Sequence, residues 1–184
     1  MKYLTLYVVA FFGLTLLPMH MILADDDHEE HSSSKRNSNT VPVKNSLYEQ
    51  ECSSCHFAYP PNLLPGQSWQ KIMSTLDEHF GENAELDDSD RIAIQDYLLN
   101  NSADKSKTKR SKKIMRSYSA SDASLRITEL RYFKHEHDEI PNRMVKDNPK
   151  VRSFSQCDSC HQDAKDGRFR ESRINIPGYG KWDD

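Results

Sequence analysis

Two short stretches, CSSCH at residues 52–56 and CDSCH at residues 157–161, contain all four cysteines of this 184-residue chain. A zinc site built from two CxxC pairs usually places them about 15–20 residues apart, whereas here the second pair begins 105 residues after the first. A thioredoxin-like redox pair is a single motif in a βαβ unit, and the sequence shows no such unit. The remaining chemistry of CxxCH is covalent haem attachment, in which both thiols form thioethers and the histidine binds the iron.

The spacing suits that role on a helix, since thiols at positions i and i+3 share a face and the next residue can reach the iron. Two copies of the motif therefore predict two covalently attached haem c groups. The residues that would hold them are Cys52, Cys55, Cys157 and Cys160 as thioethers and His56 and His161 as proximal iron ligands. Pro60, Pro61, Leu63 and Leu64 are expected to wall one haem edge, where a backbone carbonyl could hold the proximal imidazole by its other nitrogen.

The second haem must take any distal ligand from upstream, because no histidine or methionine follows His161. This excludes two tandem class I cytochrome c domains, in which a methionine follows each motif. The candidate distal ligands are Met73 and His79 for the first haem and His135, His137 and Met144 for the second.

Helical spacing ranks these candidates. His79 ends an apolar stripe through Ile72 and Leu76, 23 residues after His56, although a histidine at a helix end can also serve the helix dipole. Met73 lies on the same face, but a methionine in mid-helix more often packs in the core.

In TELRYFKHEHDEI (128–140), His137 falls on the face of Leu130 and Phe133, seven and four residues earlier. His135 falls on a face that solvent would cover. We therefore prefer His137 as the distal ligand of the second haem, with His135 as the alternative.

Helical patterns dominate the chain, and no stretch shows convincing β alternation. We predict an all-α protein: a small cytochrome c-like helical fold with two covalent haems and long irregular connections. The stretch NIPGYG (175–180) is either a cover over the second haem or a turn of the tail. The predicted helices are SLYEQE at 46–51, a helix capped by Ser68 that ends at Gly81, a helix capped by Ser89 that turns Ile94, Tyr97 and Leu98 inward, and a short helix at 128–137.

Residues 1–24 have a lysine start, an apolar run and a small residue at the end, which is typical of an export signal. A retained membrane anchor is the alternative. Residues 25–45 are acidic and then rich in Ser and Asn, so we expect a disordered tether. Its His28 and His31 fit a solvated tail better than a metal site. Export would place the protein in the bacterial periplasm.

The remainder divides into a first haem block at 46–100 and a second at 125–184, joined by a flexible linker at 101–124. The linker contains a basic run, KSKTKRSKK, at 105–113. This run could dock an acidic partner or lipid headgroups, but a solvated linker is the simpler interpretation. A formal charge of −3, or −4 without the signal's lysine, does not suggest nucleic-acid binding.

The chain resembles the dihaem cytochrome c family of bacterial periplasmic proteins. The resemblance lies in YEQECSSCHFAYPPNLLPGQSW, LDEHFGENAELD, RITELRYFKHEHDEIP and CDSCHQDAKDGRF, which span most of 48–100 and 126–177. It implies two axial histidines on each iron, with His79 in HFG and His137 in HDEI as the distal ligands. The resemblance further implies an electron-transfer protein that serves a membrane b-type cytochrome or a small soluble haem protein. The basic linker and the additional His135 depart from the family pattern.

Two histidines on an iron leave no open coordination position, so such a haem passes electrons without binding a substrate. We therefore expect an electron carrier between redox proteins, not an enzyme, with potentials below those of a haem with a methionine ligand. The alternative is a haem protein with one open iron, either gas-binding or peroxidase-like. A zinc or disulfide scaffold without haem is a lesser possibility and would be colourless.

Overall fold

The computed structural model describes residues 44–119 and 124–182. The predicted signal, nearly all of the predicted tether, and His28 and His31 lie outside the described residues. No helix in the described part is both long and apolar enough to cross a bilayer.

The fold consists of short α-helices separated by 3-10 turns and irregular connections, as predicted. The six α-helices of the described residues are α1 (Ser46–Cys52), α2 (Gly66–Met73), α3 (Asp88–Asn100), α4 (Lys109–Ser117), α5 (Arg131–His135) and α6 (Cys157–Cys160). The 3-10 turns are Pro61–Leu63, Leu76–Glu78, Ile127–Glu129, Asn142–Met144, Ala164–Asp166 and Glu171–Arg173.

A small β-ribbon is the exception to the all-α pattern. Strand β1 (Asn175–Ile176) pairs antiparallel with β2 (Gly180–Lys181), and positive φ angles occur at Gly178 in the connecting turn and at Gly180 where β2 begins. With only two residues in each strand, no alternating pattern could reveal it in the sequence. The NIPGYG stretch is therefore a hairpin, and its Ile176 is buried.

Helix α2 begins and ends earlier than predicted. It starts at Gly66 because the carboxylate of Asp104 accepts a hydrogen bond from the Gly66 N–H at 2.7 Å, which supplies the cap that Pro65 lacks. Ser68 is buried inside the helix instead of capping it, and its hydroxyl donates to the Ser124 carbonyl.

The same helix stops at Met73 rather than reaching Gly81. The hydroxyls of Ser74 and Thr75 both donate to the Lys71 carbonyl, so they compete with the backbone of a continuing helix. A 3-10 turn, Leu76–Glu78, then leads to His79. Helix α3 starts at Asp88 with Asp87 as its N-cap residue, so Ser89 is not the cap.

The expectation of a flexible connection at 101–124 is wrong for residues 109–117, which form α4. The Thr108 hydroxyl accepts a hydrogen bond from the Ser111 N–H and caps the helix. Ile114 is only 2 % exposed, and the Ser111 hydroxyl donates to the carbonyl of buried Asn62 at 3.1 Å. One inward edge of α4 is therefore part of the protein interior.

A single hydrophobic core joins the two halves of the described chain. It contains Tyr48 and Trp69 from the first block, Ile114 from α4 and Leu130 from the second block. The inward-facing positions predicted for α3 are confirmed, with Ile94 and Leu98 buried and Tyr97 packed at the edge. This core thus contains side chains from both haem blocks and from α4.

Candidate haem sites

The first motif begins where α1 ends. Cys52 is the last residue of the helix, and Cys55 and His56 follow in a turn. Cys52 is half-buried, whereas Cys55 is exposed. The first thiol is thus anchored by the helix, while the second lies at the surface.

The proximal imidazole of this site is held by its second nitrogen. His56 Nδ1 lies 2.8 Å from the Phe57 carbonyl oxygen, so an Nδ1–H donates there and leaves the lone pair of Nε2 for a metal. The ring of Tyr59 stacks on the imidazole at a centroid distance of 5.2 Å. The carbonyl that holds the imidazole belongs to Phe57, directly after the histidine, and not to the stretch 60–64 where it was expected.

His79 lies opposite His56. Their ring centroids are 6.1 Å apart and their planes differ by 22°. Burial lowers the pKa of His79, and the neighbouring His56 and Arg126 lower it further, which favours the neutral imidazole that binds metals. Met73, the other candidate, is 3 % exposed and packs in the hydrophobic core.

The second motif forms α6, and His161 caps that helix with its N–H bonded to the Cys157 carbonyl. Both cysteines and His161 line a cavity of 620 Å³, a volume typical of a cofactor site. Leu63 also lines this cavity, whereas Pro60, Pro61 and Leu64, which were expected to wall a haem edge, are fully buried.

His137 enters the cavity from the turn after α5. Its Nδ1 lies 2.9 Å from the Phe133 carbonyl oxygen, and its ring stacks on the Phe133 ring at 3.9 Å. The centroids of the His137 and His161 rings are 6.1 Å apart, with the planes at 76°. The second pair thus repeats the spacing of the first pair.

The other candidate ligands lie elsewhere. The side chain of His135 is 80 % exposed, and its Nδ1 lies 3.8 Å from a carboxylate oxygen of Asp138. Neither His135 nor Met144 lines the cavity. Between the two histidines that the sequence left open, the structure brings His137 to His161.

Burial and charge keep His161 neutral. Burial is the main cause that lowers its pKa to about 4, and the neighbouring His137 and Arg110 contribute to the same shift. Its Nδ1 is buried without a hydrogen-bond partner among the described residues, whereas the corresponding atom of His56 is bonded to a carbonyl. The two proximal imidazoles therefore differ in their surroundings.

Sequence reasoning missed Arg110 of α4. Its guanidinium donates to the Tyr132 hydroxyl at 3.0 Å and to the Phe169 carbonyl at 3.2 Å, and it lies over both rings. It lines the cavity that His137 and His161 also line. In the sequence it is one base among seven in the run 105–116, and nothing in that run distinguishes it from its neighbours.

The residues present fit a haem iron at each site. Two imidazoles bonded to opposite sides of one metal ion at about 2 Å would place their ring centroids about 6 Å apart. Both histidine pairs have centroids 6.1 Å apart, and each pair includes the histidine of a CxxCH motif.

Comparisons with known proteins place the chain among dihaem cytochromes c. The family model described as Dihaem cytochrome c matches residues 48–169. The diheme cytochrome type c of Shewanella baltica OS155 is 45 % identical, with a TM-score of 0.63 over 76 % of this chain and 98 % of that one. The diheme cytochrome c of Rhodobacter sphaeroides is 44 % identical, with a TM-score of 0.63 over 71 % of this chain and 100 % of that one.

A second structure from Rhodobacter sphaeroides, of purified DHC, is 42 % identical with a TM-score of 0.57 over 70 % of this chain and 100 % of that one. A search of curated proteins gives no match. The family match covers most of the chain, and family members carry two covalently bound haem c groups. With its two CxxCH motifs and the histidine opposite each of them, the chain belongs to the dihaem cytochrome c family.

Proposed function

We propose that this cytochrome is a periplasmic electron-transfer relay, not an enzyme, and that each haem iron has two histidine ligands. His56 and His79 would bind the first iron, and His161 and His137 the second. The observation that carries the proposal is the common centroid distance of 6.1 Å in the two pairs. Each haem, when bound, supplies an iron that gains or loses one electron.

The protein's own residues keep these ligands ready for iron. Backbone carbonyls hold Nδ1 of His56 and of His137 at 2.8 and 2.9 Å, which fixes both rings and leaves Nε2 free. Aromatic rings shield the second pair, because Phe133 stacks on His137 and Phe154 and Phe169 meet the two imidazoles edge-on. Ligands fixed in this way change little between redox states, which suits electron transfer.

Arg110 is placed to hold a carboxylate of the second haem. Its Nε is buried and has no acceptor within residues 44–119 and 124–182, although its other nitrogens are bonded to Tyr132 and Phe169. A buried N–H donor without an acceptor is costly, and a haem propionate would supply an acceptor for Nε.

The two sites lie close enough for one side chain to connect them. Tyr59 stacks on His56 and donates its hydroxyl hydrogen to the Ser155 carbonyl, two residues before Cys157. This proximity supports electron exchange between the haems within one protein. The partners would be redox proteins, and the family resemblance suggests a membrane b-type cytochrome or a small soluble haem protein.

The test is a spectrum of the protein exported from a host that attaches haem c. We expect two haems by pyridine haemochrome assay, low-spin spectra in both redox states, and no change on adding carbon monoxide. A high-spin fraction that binds carbon monoxide would show an open iron and would favour a gas-binding or peroxidase-like protein instead.

A further inference from the structure

Helix α4 presents a row of cations to solvent. Lys109, Lys112, Lys113 and Arg116 recur at the three- and four-residue intervals of one helix face. All four side chains are exposed, whereas Ile114 on the opposite side of the helix is buried. We call these four residues the α4 cationic face.

The charges of this face are largely unneutralised. Lys113 lies 3.6 Å from Glu136, but Lys109, Lys112 and Arg116 form no ion pair with any residue of 44–119 or 124–182. Four neighbouring cations, of which one has an anionic partner in the described chain, create a local positive potential that attracts an anionic surface.

The face adjoins the second haem site. Lys109 and Lys113 line the same cavity as His137 and His161. With Met115, the four cations also line a shallow surface depression of their own. A partner bound against this face would therefore lie beside the second haem, where an electron has a short distance to travel.

We propose that the α4 cationic face is the docking surface for an acidic redox protein, which exchanges electrons with the second haem. In one exchange a single electron leaves the reduced haem iron, which is oxidised, and enters the partner's redox centre, which is reduced; no bond forms or breaks. The inference rests on the proposed electron-transfer function and adds the site of exchange and the charge of the partner.

The fold favours a protein over a lipid surface as the occupant. An amphipathic helix binds a bilayer by burying its apolar face at the membrane boundary, but in α4 the apolar Ile114 already packs in the core. The exposed side of α4 is therefore the cationic face beside the second haem site. Such a surface suits electrostatic docking of a protein with the opposite charge.

Charged one-electron oxidants test the exchange site in the haem-loaded protein. We would reduce both haems and follow their oxidation by ferricyanide, an anion, and by tris(phenanthroline)cobalt(III), a cation, in a stopped-flow instrument. The variant is Lys112→Glu with Arg116→Glu. The control is Lys71→Glu with Lys146→Glu, which makes the same charge change at exposed positions outside the cavity.

At low salt we expect the variant to slow one kinetic phase of ferricyanide oxidation about tenfold or more, with the effect disappearing at high salt. The cationic cobalt complex should oxidise the variant at least as fast as it oxidises the unmodified protein. An equal loss in the control, or no loss in the variant, would overturn the proposal. Unchanged haem content and low-spin spectra in both proteins would separate this outcome from a failure of the proposed function.

A second measurement identifies the class of partner. Reduced flavodoxin, an acidic one-electron donor, should reduce the Lys112→Glu/Arg116→Glu protein more slowly than the control protein. Phosphatidylglycerol vesicles are the competing probe. If the variant loses vesicle binding but keeps its rate with flavodoxin, the face binds lipid and the proposal is wrong.

Discussion

The hydroxyl of Tyr59 donates a hydrogen bond to the backbone carbonyl of Ser155, 2.9 Å away. The ring of the same tyrosine stacks on His56. Burial raises the pKa of Tyr59, and the nearby Cys157 raises it further, so the phenol stays protonated and remains a donor. One side chain thus connects the segment after the first CxxCH motif to the segment before the second. The two bonded residues are 96 positions apart in the sequence.

Replacing Tyr59 by Phe should destabilise the protein by about 1 kcal/mol, because it leaves a partly buried carbonyl without its donor while the ring is kept. Denaturant unfolding of the holoprotein measures this change. Tyr97→Phe is the matched control, since the hydrogen bond that the Tyr97 hydroxyl accepts from Lys44 N–H is exposed and 3.3 Å long. Equal effects from both variants would contradict a connecting role for Tyr59.

His137→Ala should open one of the two irons, because apart from His137 itself and the proximal His161 no described histidine or methionine lines the second cavity. We expect a high-spin component and carbon monoxide binding at one haem. His135→Ala should leave the spectrum unchanged, since that side chain is exposed. A spectral change in the His135 variant alone would reverse our assignment of the distal ligand.

Arg110→Gln should lower the midpoint potential of one haem. A nearby cation disfavours the oxidised iron, which carries the additional positive charge, so removing the guanidinium makes oxidation easier. A spectroelectrochemical titration resolves this shift, and Arg110→Lys, which keeps the charge, should restore part of it. Arg116→Gln on the exposed face of α4 is the control, and a comparable shift there would mean that the position of Arg110 is unimportant.

Ile114→Ala should cost about 2–5 kcal/mol of stability, as expected for a buried aliphatic side chain. Lys112→Ala on the exposed side of the same helix should change stability by about 0.5 kcal/mol or less. Denaturant midpoints of the two variants give the comparison. If both variants unfolded like the unmodified protein, α4 would not be part of the cooperative core.

Asp104→Asn should weaken the start of α2 and change the acid stability. Burial alone would raise the pKa of Asp104, but hydrogen bonds from the Gly66 N–H and from Ser102 outweigh it, and the pKa is lowered. A carboxyl whose native pKa is depressed contributes stability that is complete above its unfolded pKa of about 4 and is lost as the pH falls through the lower native value.

The variant should therefore lose about 1 kcal/mol at pH 7 and differ less from the unmodified protein at pH 3. Urea unfolding at the two pH values measures the difference. Asp96→Asn is the control, because Asp96 is an exposed residue of α3. A deficit for Asp104→Asn that persists unchanged at pH 3 would show that the charge of Asp104 is not what stabilises the helix.

The cofactor residues were predictable because covalent haem attachment imposes a fixed local spacing. His79 was predicted from a helical stripe; the helix ends at Met73, and after a 3-10 turn the His79 ring lies opposite His56. The choice of His137 over His135 followed from the apolar face of one short segment, and the cavity geometry agrees with it.

The start of α2 and the helix at 109–117 were not predicted, because both depend on contacts between residues distant in sequence. Ser68 resembles a helix cap, but Asp104, 38 residues beyond Gly66, takes that role. Residues 109–117 resemble a linker because their only strongly apolar side chains are Ile114 and Met115, and helix formation there depends on packing against the first block. Local periodicity contains no information about such partners.

The burial of the leading cysteines has a consequence for how the protein is made. Burial raises the pKa of the Cys52 thiol to about 11 and that of Cys157 to about 12, so in the folded chain without haem both would be protonated and poorly reactive. The thiols should therefore form thioethers more readily in a chain that has not yet folded. We expect biogenesis to attach the haems to the newly made, extended polypeptide, with folding around them as the final step of maturation.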